Sequence, residues 1–570
     1  MTGETEMEVE KDLSSLAKVG VAVIKAEFLK KVEDAEPMDT GKPDPVKDEA
    51  QVAADKARKA ARRGQDRKRE KKMAHAMADV RQNSMRLCPS MLIPGRECRF
   101  GAKCNASHDI KDYVAKKEED IRPSCIIYDQ LGKCNFGVSC RFAKAHTNPD
   151  TFEQLEKQAQ EAYQPTLNAD GVKLQKLMRK HEYDFKKSDD ALVLYRELKK
   201  QEIATGAMER EKLKMNMRDL KGKKYLAPLT TVGNLPFRRL CVEMGADITC
   251  GEMAVATSLL QGNPSEWSLI KRHPSEKIFG VQLAGGFPDT MAKAAQILTE
   301  NMQLDFIDIN LGCPIDAVND KGGGCALFNR SNKLMEVVHC MQSVMKDTPL
   351  SVKMRYGLKE GDRIAHKVIR RLVNEYPPQL LTIHPRSKEQ RYTKAAEWDY
   401  IPECIEAANG KVPVWVSGDC YNYEDYYANL ENYAVDGIMV GRGALIKPWL
   451  FTEIDEKRHY DISATERLDL IKKFCNYGLE HWGTDDAGIQ TTRRFLLEWL
   501  SFQHRYVPTG ILEYLPPKIN QKPLPYYGRC EMESLLASRA SSDWLKISEM
   551  FLGKTPQGYL FVPKHKANAY

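Results

Sequence analysis

A strand-turn-helix rhythm that repeats eight times between Tyr225 and about Leu450 is the feature that most constrains the fold. Each unit has a short apolar run, a polar turn and an amphipathic stretch. The predicted strands are Lys224–Leu226, Asp247–Cys250, Ile278–Leu283, Phe306–Asn310, Leu350–Arg355, Leu380–His384, Val414–Val416 and Gly437–Val440. Eight such units predict an α/β fold, a (β/α)8 TIM barrel, whose usual size is about 250 residues.

The chain has 570 residues, too many for one hydrophobic core, so we expect several domains. Residues 1–85 are rich in Lys, Glu, Asp and Ala and poor in aromatics, which predicts a disordered arm. Basic residues exceed acidic ones by 86 − 79 = 7, and the run Lys56–Lys72 concentrates this excess. Such a run is usually solvated, but it also suits nucleic acid or nuclear import.

The cysteine count and the hydropathy pattern bear on the compartment. Fifteen cysteines in a long chain without a signal peptide indicate a reducing compartment, where cysteines serve metal binding and catalysis. The most apolar early stretch, Val19–Leu29, contains Lys25 and Glu27, and no segment approaches the ~18 apolar residues of a membrane span. We expect a soluble protein of the cytoplasm, the nucleus or both, with no membrane contact and no obligate protein partner.

Two sets of three cysteines and one histidine lie within residues 86–150. Their members are separated by nine, five and three residues in the first set and by eight, five and five in the second. Three thiolates and one imidazole complete a tetrahedral Zn²⁺ shell with no open position, so both sets predict structural zinc sites. The ligands are Cys88, Cys98, Cys104 and His108 in the first set and Cys125, Cys134, Cys140 and His146 in the second.

The tandem arrangement makes the zinc interpretation specific. Arg99-Phe100-Gly101 and Asn135-Phe136-Gly137 occupy the same place in the two sets. The pattern resembles tandem CCCH zinc fingers, a family that binds single-stranded or looped RNA, and exposed aromatics beside Lys and Arg stack well on bases. The alternative is a pair of purely structural zinc knots. The commonest spacing would put the last ligand of the second set at Lys144, so His146 has to reach the metal.

Polar residues stand at or just after the predicted strand ends, and these ends converge on one face of a barrel. For most of them an ordinary hydrogen bond in a loop is the simpler explanation. Lys353 differs, because a buried ammonium is costly without an anionic partner. Cys313 follows the fourth strand and precedes Gly322–Gly324, which indicates a site rather than a free thiol in a tight turn. Gly418 and Gly441-Arg442 follow the last two strands, where barrels bind phosphate.

The regions that flank the barrel, residues 223–450, are predicted to be helical. Residues 151–222 are highly charged, with helices expected at 191–201 and 207–220, and are interpreted as a linker. Residues 451–570 form a helical domain with helices at 465–481 and 491–504. The second of these carries Arg493 and Arg494 among aromatic residues. It either packs its aromatics inward or presents a basic face to RNA.

Seven motifs together resemble those of the tRNA-dihydrouridine synthases. They are APL (227–229), QLAG (282–285), NLGCPIDAVNDKGGGCAL (310–327), VKMR (352–355), HPRSKEQRYTKAAEWDYI (384–401), SGD (417–419) and GRGAL (441–445). The zinc fingers ahead of the barrel resemble those of the eukaryotic type 3 branch of this family. The resemblance covers residues 86–147 and 225–505.

The resemblance implies an FMN cofactor at the barrel mouth, NADPH as its reductant and a uridine of tRNA as the substrate, at position 47 by the branch. An mRNA is a second candidate partner. The flipped base would receive hydride at C6 and a proton at C5 from Cys313, with Cys325 as the rival thiol. The implied FMN-binding residues are Pro228, Leu229, Thr230, Gln282, Lys353 and His384 near the ring and ribityl chain, and Ser417, Gly418, Asp419, Gly441 and Arg442 at the phosphate. Ser417 replaces the usual asparagine, and we expect this to be tolerated.

Two other functions stay open. One is an FMN oxidoreductase that acts on a free pyrimidine, which would need neither zinc fingers nor a basic arm. The other is an RNA-binding zinc-finger scaffold with an inactive barrel, against which the intact Cys313, Lys353, His384 and Arg442 argue.

Overall fold

The computed structural model describes residues 21–30, 86–93, 95–169, 171–201, 212–390, 392, 394–518 and 521–564. Most of the predicted disordered arm, including Lys56–Lys72, lies outside the described residues. Within 21–30, the strand Val21–Ala22 pairs in parallel with Lys522–Pro523 of the C-terminal region. No helix in the described ranges is both long and apolar enough to cross a bilayer.

A closed barrel of eight parallel strands forms the centre of the molecule, which confirms the predicted fold. The strands are β1 (Tyr225–Leu226), β2 (Ile248–Cys250), β3 (Ile278–Ala284), β4 (Phe306–Leu311), β5 (Leu350–Gly357), β6 (Leu380–Ser387), β7 (Val414–Val416) and β8 (Gly437–Val440). β1 pairs with β8 and with β2, and β2 pairs with β3, so no strand edge of the barrel stays open. The short strand Ala254–Val255 adds to the end of β3.

Helices surround the barrel and separate its strands. They are α5 (Leu235–Glu243), α6 (Ala256–Leu260), α7 (Pro264–Ser268), α8 (Pro288–Asn301), α9 (Asp316–Asn319), α10 (Cys325–Phe328), α11 (Ser331–Val344), α12 (Ala365–Glu375), α13 (Ile401–Ala408), α14 (Tyr423–Tyr433), α15 (Arg442–Ile446) and α16 (Leu450–Glu456). α1 (Ile110–Lys116) and α2 (Ile126–Leu131) lie in the zinc-finger region. The barrel helices bury their apolar faces against the strands, because parallel strands need cover on both faces.

The region predicted as a linker packs on the barrel. Its helices are α3 (Gly171–Lys180) and α4 (Lys186–Lys200). Ser188 on α4 donates its hydroxyl to Gln296 on α8 at 2.7 Å, with both side chains buried. Of the helix predicted at 207–220, residues 207–211 lie outside the described part, and the rest has only a 3₁₀ turn at Met217–Leu220. Met178, Ala191, Leu192 and Tyr195 of this region belong to the main hydrophobic core. The many charged residues between them obscured this docking in the sequence.

The C-terminal domain consists of α17 (Ala464–Trp482), α18 (Asp486–Gln503), α19 (Glu531–Leu536) and α20 (Ser541–Leu552). Trp499 on α18 is fully buried and donates its indole N–H to the carbonyl of Leu445 at 3.0 Å, which joins the domain to the end of the barrel. Arg493 is also buried and bonds Ser548 and the carbonyl of Leu552. The RNA-facing interpretation is therefore wrong for Arg493, which holds α20 against α18.

A buried ion pair between Arg238 and Glu276 fastens α5 to the barrel, with side chains 2% and 0% exposed and Nε to Oε1 at 2.7 Å. We expect Arg238→Met to destabilise the protein by about 3–5 kcal/mol, because Glu276 would stay buried as an uncompensated charge. Thermal denaturation would measure the loss. Lys186→Met, which removes an ion pair with side chains 74% and 63% exposed, is the matched control and should change the midpoint little. An equal shift in both variants would contradict this assignment.

Candidate active site at the C-terminal face of the barrel

Asn310 at the end of β4 holds the turn that carries Cys313. Its Oδ1 accepts hydrogen bonds from the backbone N–H groups of Gly312 at 3.1 Å and Cys313 at 2.8 Å. Its Nδ2 donates to Oε1 of Gln282 on β3 at 2.8 Å, and Gln282 in turn donates to the buried Asp308 at 2.7 Å. This chain of bonds crosses two neighbouring strands, so the position of Cys313 is set by the barrel itself.

The glycine run behind Cys313 lets the following loop fold back onto it. Gly324 has φ +59°, and a Cβ there would lie 2.6 Å from the carbonyl oxygen of Cys313. The same carbonyl accepts hydrogen bonds from the backbone of Cys325 at 3.2 Å and from Asn319 Nδ2 at 3.1 Å. Only glycine adopts this positive φ without strain and also leaves room for the Cys313 carbonyl. The turn, and with it the position of Cys313, therefore depends on Gly324.

The two thiols of this loop differ in their surroundings. Cys313 is 9% exposed and Cys325 is 2% exposed. Burial raises the pKa of both thiols, to about 11 for Cys325, while the positive charges of Arg355 and Lys353 partly oppose the rise at Cys313. Both thiols therefore hold their protons at neutral pH, and Cys313 is the more accessible one.

Four cationic side chains converge around His384, and the first two also lie beside the Cys313 turn: Lys353, Arg355, Arg386 and Arg442. Strand register brings the first two into place, because Lys353 lies opposite Asn310 and Arg355 lies opposite His384. Burial, and then the charge of Arg355, lower the pKa of Lys353. Burial and all four cations lower the pKa of His384 well below its usual value, so this imidazole is neutral.

Asp419 accepts hydrogen bonds from two of these cations. Its carboxylate meets Arg386 at 2.5 and 2.7 Å, Arg442 at 2.6 Å and the backbone N–H of Ala396 at 2.7 Å. The sequence interpretation placed Asp419 on a phosphate. In the structure its carboxylate holds both arginines in place. A carboxylate would itself repel a phosphate, so a role of Asp419 at the phosphate would be exerted through these arginines.

The remaining predicted residues line the same end of the barrel. The backbone N–H of Ala227 bonds the carbonyl of Val440 at 2.9 Å, which brings residues 228–230 beside Gly441. A Cβ on Gly441 would still be 3.9 Å from Leu229 Cδ2, whereas one on Gly418 would lie 3.1 Å from Pro385. The structure thus brings together Cys313, Pro228, Leu229, Thr230, Gln282, Lys353, His384, Ser417, Gly418, Asp419, Gly441 and Arg442 at one mouth.

Sequence reasoning missed three residues of the site: Arg355, Arg386 and Tyr392. Tyr392 lies nearly parallel to His384, with ring centroids 6.0 Å apart at 16°, and Arg442 lies 4.1 Å from its ring centroid. Burial tends to raise the pKa of Tyr392, but the surrounding cations, led by Arg355 and Arg442, lower it. Arg386 and Tyr392 both belong to the motif 384–401, which was the available signal.

The zinc-finger residues form two compact clusters away from the barrel mouth. In each set the four ligand atoms all lie within 4.8 Å of one another, a separation that one tetrahedral ion can bridge. His146 is 0% exposed, and neither of its ring nitrogens has a hydrogen-bond partner in the described part of the chain. Such an imidazole fits a metal ligand. Lys144 is exposed and stands outside the cluster.

Comparison with known proteins gives concordant matches. A family model for dihydrouridine synthase matches residues 225–504, and a model for the DUS3L CCCH zinc finger domain matches residues 84–116. The chain is 49% identical over 553 residues to a Xenopus tropicalis protein named tRNA-dihydrouridine(47) synthase [NAD(P)(+)]-like, with 91% of this chain and 85% of that protein covered. A Homo sapiens relative of the same name is 46% identical, with 85% and 81% covered. A Coprinopsis cinerea relative named tRNA-dihydrouridine(47) synthase [NAD(P)(+)] is 41% identical, with 84% and 86% covered.

Proposed function

The chain belongs to the dihydrouridine synthase family, and from this we propose that it reduces the C5–C6 bond of uridine 47 in tRNA, with FMN as cofactor and NADPH as electron donor. The single observation that carries the proposal is the position of Cys313. The protonated thiol of Cys313 lies at the edge of a strongly cationic barrel mouth. The uracil would need the proton of this thiol, and FMN would need the positive charge.

The charges of the mouth fit FMN. Among the described residues, the carboxylates that interact with these four cations are those of Asp308 and Asp419. Burial raises the pKa of Asp308, so the mouth has an excess of positive charge for a ligand. Arg442, with the backbone at Gly441 and Gly418 and the hydroxyl of Ser417, would hold the phosphate. Pro228, Leu229, Thr230, Gln282, Lys353 and His384 would surround the ring and the ribityl chain. The bound FMN supplies the two-electron reduction of the base.

The protein's own contribution to the chemistry is a positioned acid. Cys313 gives its proton to C5 of the uracil, and the thiolate that remains is stabilised by the charges of Arg355 and Lys353. Asn310 and Gln282 keep the turn in place during this transfer. Neutral His384 offers a polar, flat surface beside the ligand rather than a further charge, and the ring of Tyr392 lies nearly parallel to it.

The substrate and the compartment are proposed as follows. An unpaired uridine in mRNA is a second substrate, and the protein acts without an obligate protein partner. It works in the cytoplasm, the nucleus or both. The thiol state supports this compartment, because none of the fifteen cysteines forms a disulfide and reduced thiols persist there.

A position-resolved nucleoside analysis of tRNA from cells with and without the protein tests the function. Loss of dihydrouridine at position 47 alone is the expected result. Loss at another position would contradict the proposed site while keeping the chemistry. An unchanged profile in tRNA and mRNA would contradict the enzyme and favour the RNA-binding scaffold.

The rate of base reduction in one turnover should depend little on pH between about 6 and 8. Burial places the pKa of Cys313 above its ordinary value of 9.0, so the acid form is fully present below that value and is lost only as the pH rises through the raised pKa. His384 stays neutral across the same interval. Stopped-flow mixing of reduced protein with tRNA would measure this. A rate that rises with pH would contradict an acid role and indicate a thiolate.

A further inference from the structure

The two zinc knots, residues 86–117 and 122–147, have the same local backbone where their aromatic residue stands. Phe100 has φ −96° and ψ −11° and precedes a 3₁₀ turn at Gly101–Lys103. Phe136 has φ −92° and ψ −11° and precedes the equivalent turn at Gly137–Ser139. Gly101 and Gly137, which follow these aromatic residues, also have nearly the same φ, +47° and +46°. The knots therefore differ not in this local backbone but in what each packs against and in the side chains around the aromatic residue.

The second knot faces inward, onto the junction between α17 and α18. Phe136 lies so close to Gly483 that a Cβ there would be 2.5 Å from its ring. Cys140 and Thr484 contact each other at 3.1 Å, and the backbone N–H of Arg141 donates to the carbonyl of Thr484 at 2.8 Å. All four of its ligand residues are buried. This knot is part of the interior of the helical domain.

Further polar contacts join the second knot to the same two helices. The Arg141 guanidinium reaches Asp486 at the start of α18 at 2.7 Å. Gln130 on α2 donates to Glu480 near the end of α17 at 2.8 Å. Both ends of the α17–α18 junction are thus bonded to the knot, and its aromatic residue, Phe136, is half-buried with its ring packed on Gly483.

The first knot faces outward. Phe100 is 57% exposed, and the Arg99 guanidinium lies 4.8 Å from its ring centroid. Arg96 and Lys103 are exposed in the same loop. An open aromatic face among cations suits an unpaired base next to phosphates, because every base can stack and the cations neutralise the backbone.

The first knot rests on the second. Leu87, Tyr113 and Val138 form a buried cluster shared by the two knots, with Leu92 packed against it. A Cβ on Gly137 would lie 3.2 Å from Leu92, so the contact is close. The first knot is therefore connected to the barrel through the second knot, then through α17 and α18, and finally through the hydrogen bond from Trp499 to Leu445.

We infer that the two zinc knots divide the work of the finger region. The first binds an unpaired base of the tRNA on Phe100. The second makes no RNA contact and is a zinc-dependent mount that fixes the first knot relative to the helical domain and the barrel. This inference rests on the proposed function, since it takes tRNA as the ligand.

The RNA surface is tested by the affinity of the FMN-loaded protein for a tRNA transcript across a salt series. We expect Phe100→Ala to weaken binding about tenfold and Phe100→Tyr to restore it, because stacking is lost and regained. The slope of log affinity against log salt should stay the same, since no phosphate contact is removed. Tyr527→Ala is the matched control and should bind normally. It removes another exposed aromatic that has a cation, Lys30, 4.8 Å from its ring centroid.

The mount is tested by hydrogen exchange in two variants that each lose one zinc ion. Cys134→Ser should lose amide protection at the end of α17 and the start of α18, whereas Cys98→Ser should keep it. Zinc analysis would verify one ion lost in each, and flavin absorbance should be unchanged in both.

Two results would overturn the division of work. One is the same exchange profile in Cys98→Ser and Cys134→Ser, and the other is normal tRNA affinity in Phe100→Ala. Failure of the proposed function would look different. In that case the protein with both knots intact would already leave uridine 47 unreduced. If Phe100→Ala and Tyr527→Ala weaken binding equally, the base-stacking assignment to the first knot is wrong.

Discussion

Cys313→Ala is expected to keep its FMN, accept electrons from NADPH at the normal rate and lose about 10²–10⁴-fold in the rate of uridine reduction. The reason is that the variant lacks the proton donor at C5, while the cationic residues of the barrel mouth that are proposed to hold the cofactor stay unchanged. Asn310 would still bond the backbone of residue 313, so the turn should persist. A single-turnover reaction of reduced protein with a tRNA transcript, with dihydrouridine quantified, separates the two half-reactions.

Cys325→Ala is the matched control for this prediction. Cys325 lies in the same loop and burial raises its pKa to about 11, yet it is 2% exposed and behind the turn. It should therefore retain most of the activity. Full activity in Cys313→Ala together with loss in Cys325→Ala would transfer the acid role to the rival thiol, and full activity in both would mean that neither donates the proton.

Lys353→Met is expected to weaken FMN binding about 10- to 100-fold, the effect of losing one hydrogen bond to a charged group. Within the described ranges, the Lys353 ammonium has no hydrogen-bond partner, although burial and Arg355 both disfavour its charge. An ammonium group in such a position needs an anionic partner, and an anionic ligand would supply it. Titration of flavin-free protein with FMN, followed by flavin fluorescence, would give the dissociation constant.

The stability of the flavin-free protein adds a second readout for Lys353→Met. Lys353 is half-buried and has no hydrogen-bond partner in the described ranges. Its removal should therefore leave the unfolding midpoint unchanged or raise it, in contrast to Arg238→Met. Lys359→Met, on the exposed loop after β5, is the control and should bind FMN normally. If Lys353→Met binds FMN normally and loses stability instead, the lysine is a structural residue and not a cofactor ligand.

Local sequence patterns were enough to predict the barrel and the main members of its mouth. Apolar runs of strand length, each followed by a polar turn, placed all eight strands, and β5 and β6 extend only two and three residues beyond their predicted ends. The ends of parallel strands meet at one face, so residues such as Gln282, Lys353 and His384 could be placed together without knowing a distance. The zinc ligands followed from spacing in the same way.

The features that could not be predicted from the sequence are contacts between residues that lie far apart in the chain. Asp419 anchors Arg386 and Arg442 because β6, β7 and β8 adjoin in the barrel, and α4 docks on the barrel through Ser188 and Gln296, more than 100 residues apart. Arg493 on α18 looks like any solvated arginine until α20 covers it.

The two zinc knots show most directly which features follow from the sequence and which require the tertiary structure. By itself, the sequence determined their ligands and their shared turn, since metal geometry and a left-handed glycine act over a few residues. Only the tertiary structure decided that Phe100 faces solvent and Phe136 faces Gly483. The same local conformation was compatible with either environment, because burial depends on which distant helices pack against a residue and not on its neighbours in sequence.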